Sequence, residues 1–169
     1  MAVADLLVDS FSRVREAVHD AADGLSADDL LWRADRAANS IGWLVWHLTR
    51  VEDDHIADAA GIDQVWTSQG WADRFDLPYD AAAHGYGQST DEVGAFSVKS
   101  AAQLIGYHDA VHEQTIRYVE ALSDADLERV VDKRWDPPVT LGVRLVSVIS
   151  DTLQHAGQAG FVRGMIKRR

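Results

Sequence analysis

Imidazoles and carboxylates carry the chemistry available to this chain. It has no cysteine and seven histidines, at positions 19, 47, 55, 84, 108, 112 and 155. Without thiols, disulfides, thiolate metal sites and a cysteine nucleophile are all excluded. Asp151 and His155 stand four residues apart, a spacing that puts both side chains on one face of a helix, one turn apart. A carboxylate and an imidazole so placed suit zinc, iron, nickel or manganese. Val148, Ile149, Thr152, Leu153, Ala156, Ala159 and Gly160 surround the pair and predict a largely buried segment, in which a carboxylate needs a partner. His47, in Trp43-Leu44-Val45-Trp46-His47-Leu48, borders an apolar stripe and could supply a third ligand from a neighbouring helix. His108 and His112 form a rival pair at the same spacing, flanked by Asp109, Glu113 and Gln114. His55 and His84 are further candidates, and spacing alone does not choose among these sets.

Four helices must position these groups. The first spans about Ala4 to Ala22, with Leu6, Leu7, Phe11, Val14 and Val18 at helical spacing. The second follows the capping residues Asn39 and Ser40, carries Ile41, Leu44, Val45, Leu48 and Val51, and stops near Gly61. The third runs from about Ser97 to Leu122, with Leu104, Ile105, Val111, Thr115 and Val119 inward. The fourth follows Pro137, Pro138 and the cap Thr140, carries Leu141, Leu145, Val148, Ile149 and Leu153, and ends near Gly164. Between the second and third lies a segment from Ile62 to Phe96 bearing Trp66, Trp71, Phe75, Tyr79 and Tyr86. Its aromatic content argues for an ordered covering loop with one short helix. No strand-like alternation of useful length is present, so the expected fold is an all-α four-helix bundle in a single domain over residues 1–169.

A weak repeat overlies this order. Leu25-Ser26-Ala27-Asp28-Asp29-Leu30 resembles Leu122-Ser123-Asp124-Ala125-Asp126-Leu127, and Ser40-Ile41-Gly42 matches Thr140-Leu141-Gly142. Two helix–turn–helix halves related by a pseudo-twofold would produce both matches, and they align His55 with His155.

Bulk properties narrow the partners. A formal net charge of −11 repels a phosphate backbone, so nucleic acid is not an expected partner. No run of 18 apolar residues exists and no membrane span is expected. The first 16 residues carry early acids and no signal-like apolar run, which with the lack of cysteine fits a cytoplasmic location. Six tryptophans in an acidic bundle leave room for a homodimer interface.

Trp46-His47-Leu48-Thr49-Arg50 and Asp151-Thr152-Leu153-Gln154-His155-Ala156-Gly157-Gln158 together resemble the DinB-like superfamily of metal-binding four-helix bundles, over nearly the whole chain. The resemblance implies a metal held by His47, Asp151 and His155. Family members typically have histidine where Asp151 stands here. An acid at that place is similar to the branch that includes mycothiol-dependent maleylpyruvate isomerase, whose separate second domain has no counterpart in these residues. The runs Asn39 to His47 and Gln69-Gly70-Trp71-Ala72-Asp73-Arg74-Phe75 look like the single-domain mycothiol S-transferase members. The implied activity is transfer of a low-molecular-weight thiol, mycothiol, to an electrophilic small molecule, on one divalent ion, most readily zinc. Hydrolysis at the same ion, or a non-catalytic metal-binding bundle, are the alternatives. Trp43, Arg50, Asp54, Trp71, Tyr86 and Gln158 are the expected contacts to the thiol or its partner, with the second substrate under the aromatic loop.

Overall fold

The apolar spacing becomes four long helices: α1 (Val3–Ala22), α3 (Ile41–Ala60), α7 (Ala101–Val119) and α8 (Leu141–Ile166). The coordinates are a computed structural model describing residues 2–169. Ser40, Ser100 and Thr140 accept a hydrogen bond from the backbone N–H three residues on, fixing where α3, α7 and α8 begin. Each such cap is worth about 1 kcal/mol. Gly61, at φ 68°, supplies the left-handed residue that ends α3.

Two core clusters give the helix directions. One joins Leu7 and Phe11 of early α1 to Ile56 and Ala59 of late α3, Val119 of late α7, and Leu141 and Leu145 of early α8. The other joins Val14 and Val18 to Leu44, Leu104, Ala156 and Ala159. Hence α1 and α8 run one way while α3 and α7 run the other. The ring order is α1–α8–α3–α7. Because α3 and α7 are parallel, the chain must return the length of a 20-residue helix, about 30 Å, between them. That requirement explains the long aromatic segment.

The crossover is more helical than its sequence suggests. It holds α4 (Val65–Ser68), α5 (Trp71–Phe75) and α6 (Thr90–Gly94), three short helices where one was expected. Asp53 accepts from the N–H groups of Val65 and Trp66, so a buried α3 carboxylate caps the start of α4. The capped turns of the repeat are α2 (Ala27–Leu31), whose Ser26 accepts from Asp29 N–H, and a 3-10 turn, Asp124–Glu128. A two-stranded antiparallel hairpin, β1 (Val130–Asp132) and β2 (Val139–Thr140), precedes α8. Strands of three and two residues are too short to show alternation, so the sequence reading missed them.

Burial departs from the apolar pattern at several places. Leu6 is 53% exposed, Leu153 is 42% exposed and Gly160 is exposed, so α8 is less enclosed than its composition implied. Val143, Val146 and Phe161 are also exposed along α8. Ser97 and Leu122 lie outside α7, whose cap is Ser100.

Glu52 is the costliest core residue. It is buried, accepts from Thr115 Oγ1 at 2.7 Å, and its second oxygen has no partner. Burial pushes its carboxyl from 4.5 up to about 7. The folded chain therefore keeps a proton that the unfolded chain releases above pH 4.5. This contribution to stability is full below pH 4.5 and falls as pH rises to about 7. Glu52→Gln imitates the protonated acid and keeps the acceptor for Thr115. It is expected to match the wild type at pH 4.5 and to exceed it by about 3 kcal/mol at pH 8, read from denaturant melts. An equal difference at both pH values would show that Glu52 is not protonated in the fold.

Candidate metal centre and its cavity

The antiparallel contact of α3 with α8 builds the site. His47 stands in the first half of α3 and meets the middle of α8, where Asp151 and His155 share a face. One ligand atom from each of the three lies within 4.8 Å of the others. Asp151 Oδ1 is 3.6 Å from His155 Nε2, and the His47 and His155 rings stand edge to face at 4.8 Å. This is the one set of three or more such residues close enough to share an ion among the described residues.

Each histidine is held by its far nitrogen. His47 Nδ1 donates to the carbonyl of His84, and His155 Nδ1 donates to Gln158 Oε1 at 2.9 Å. Both rings therefore present Nε2 as the free lone pair, the tautomer that a metal ligand requires. His47 also stacks on Trp43 at 4.7 Å and 14°, and Trp43 Nε1 donates to Gln88 Oε1. Burial holds the His47 imidazole below its ordinary value, hence neutral at pH 7; the His84 carbonyl opposes this. Asp151 Oδ2 is buried without a hydrogen-bond partner. A carboxylate with one oxygen unpartnered, converging with two imidazoles, fits a divalent cation. His47, Asp151 and His155 would hold it, leaving an open coordination position.

That position opens on a cavity of about 260 Å³, lined by His47, Val51, Asp54 and His55 of α3, Ser147, Val148 and Asp151 of α8, and His84 and Tyr86 of the crossover. Gly85 lets the crossover pass this close. Its φ is +95°, and a Cβ there would lie 2.7 Å from His47 Nδ1 and 3.0 Å from Trp43.

The expected contacts divide. Asp54 and Tyr86 line the cavity, Trp43 backs His47, and Gln158 orients His155. Arg50 does not reach the cavity: its side chain is 0% exposed and points into the crossover. Trp71 is also elsewhere, packed on Tyr107 at 5.7 Å with Arg74 above it. The rival pair lies between α1 and α7. His108 is buried beside Thr49, with burial pushing it down to about 3, and His112 Nε2 is unpartnered. Two contributors were not foreseen. Ser147 follows from its place one turn before Asp151. The His84 carbonyl is backbone, and no residue type announces it.

An all-helical four-helix bundle with a long crossover between its second and third long helices is consistent with the DinB-like class. Residues 6–168 match the family described as Mycothiol-S-transferase, and the chain belongs to that family. A conserved protein from Enterococcus faecalis has a crystal structure of the same fold, with a TM-score of 0.92, 28% identity and coverage of 100% of this chain and 99% of that one. No functionally curated protein matches.

Proposed function

We propose that this chain is a metal-dependent S-transferase that joins mycothiol to an electrophilic small molecule in the cytoplasm. The convergence of His47, Asp151 and His155, with one Asp151 oxygen buried and unpartnered, beside a cavity carries the reading, and the family match supports it. Among the described residues, no helix is long and apolar enough to cross a membrane.

A divalent ion held there, zinc most readily, would supply a positive centre that lowers the pKa of a bound thiol. The chain's own groups do the rest. His55 lines the cavity opposite the centre and is half-buried. Burial and nearby Arg144 hold its imidazole below the ordinary value, so at pH 7 it is free to accept the thiol proton. The sulfur then forms its bond to the electrophilic carbon, and the leaving group departs with the displaced electron pair. Asp54, beside His55 at 3.7 Å, favours the imidazolium so formed. Tyr86, at the cavity mouth and 87% exposed, is placed to cover the second substrate.

The test is direct. Wild-type protein loaded with zinc is mixed with mycothiol and a small alkylating electrophile, and conjugate is measured with and without the thiol. Thiol-dependent conjugation is expected. Turnover of ester or amide substrates without thiol would instead establish the hydrolytic alternative. The exposed apolar residues of α8 are the face on which we expect two copies to pair. Light scattering that returns the mass of one chain would remove that expectation.

A further inference from the structure

The Arg50 guanidinium is a fully enclosed charge. Its side chain has no exposed surface, it lies over Trp66 at 5.1 Å, and Asp53 Oδ2 is 3.6 Å from Nη1. Burying a charge is costly and its pairing here is not close, so its retention asks for a role. Nη1 meets Tyr107 Oη at 3.4 Å in the core, and the remaining bonds point in two directions. Nε donates to the Ala83 carbonyl at 3.1 Å, one residue before the carbonyl that receives His47 Nδ1. Nη1 donates to Gln64 Oε1 at 2.9 Å, and Gln64 Nε2 donates to Asp54 Oδ1 at 2.8 Å. One group thus reaches the cavity lining twice, beside His47 through residues 83–85 and at Asp54 through Gln64.

We infer that Arg50 is the positioning residue of the centre: it fixes the crossover segment 83–85 so that the His84 carbonyl sets the tautomer and angle of His47, and fixes Asp54 through Gln64. This rests on the metal reading of His47, Asp151 and His155. Neither arm touches a substrate. Lysine cannot replace it, because a single ammonium cannot make the forked pair of bonds to Ala83 and Gln64.

Three variants test the two arms separately. Arg50→Lys removes the fork, Gly85→Ala displaces the segment without touching Arg50, and Gln64→Leu cuts only the Asp54 arm. Folding is checked by circular dichroism, zinc affinity by competition with a chelator, and the His47 tautomer by imidazole nitrogen NMR of the metal-free protein. The wild type is expected to show His47 protonated at Nδ1. Arg50→Lys and Gly85→Ala are expected to lose that single tautomer and to bind zinc about 10- to 100-fold more weakly, the usual effect of groups that orient ligands. Gln64→Leu is expected to keep zinc affinity and the tautomer and to lower thiol turnover. A folded Arg50→Lys with wild-type tautomer and zinc affinity overturns the inference and leaves the centre standing. Should Arg50→Lys not fold, a Gly85→Ala chain with wild-type tautomer and affinity overturns it equally. A wild type with the tautomer but no zinc affinity removes the metal reading, and the positioning role with it.

Discussion

His47→Ala is expected to lose most of its zinc and all of its thiol transfer while remaining folded. The ring contributes one of three ligand atoms, and it alone ties α3 to the pair on α8. Removing a ligand should weaken binding by more than the roughly 10- to 100-fold typical of orienting groups. The fold loses a ring stacked on Trp43 and one bond to the crossover, about 1–3 kcal/mol, which a bundle with two core clusters tolerates. Elemental analysis beside the wild type and His155→Ala gives the answer, with His112→Ala as control. About one equivalent in the wild type, absent in the two ligand variants and kept in the control, is the expected pattern. Full metal and activity in His47→Ala would remove the centre as drawn. A wild type that takes up no zinc would leave a bundle without this chemistry.

The second large effect falls on His55. His55→Asn keeps a polar side chain of similar size and removes the proton acceptor. Loss of a positioned general base costs about 10²- to 10⁴-fold in rate. Zinc content should be unchanged, because His55 is not among the three convergent ligands. In the wild type, turnover should fall as acid protonates His55, whose burial moves this limb below pH 6.5. In His55→Asn that limb should vanish. A variant within threefold of the wild-type rate would show that solvent takes the proton.

Helical periodicity carried most of the architecture to the reader of the sequence. Ser40 and Thr140 mark helix starts by their own side chains, and Leu44, Val148 and Val111 lie inward as their spacing requires. The ligand set was legible only through resemblance, since His108 and His112 have an equal claim by spacing. What separates the pairs is which of them meets a further ligand on a neighbouring helix, a property of the whole bundle. Arg50 illustrates the other limit. An arginine after a threonine reads as surface, and only the return path of the crossover shows that it is enclosed. Leu6 and Leu153 erred the other way, because apolar spacing gives a stripe but not how much of it a neighbour covers.

The weak sequence repeat pairs positions of α3 and α8 whose side chains differ. Counting 100 residues on, His47 corresponds to Ser147, Val51 to Asp151 and His55 to His155, and five of these six line the cavity while the sixth completes the centre. The mirror image of the centre is therefore Ser147, Val51 and His55, a set with one imidazole and no carboxylate. It cannot grip an ion of its own. The imidazole of that set, His55, lines the cavity, where the proposed mechanism uses it as the base. Broken symmetry, on this view, turns a bundle with two equivalent halves into one with a binding end and a reacting end.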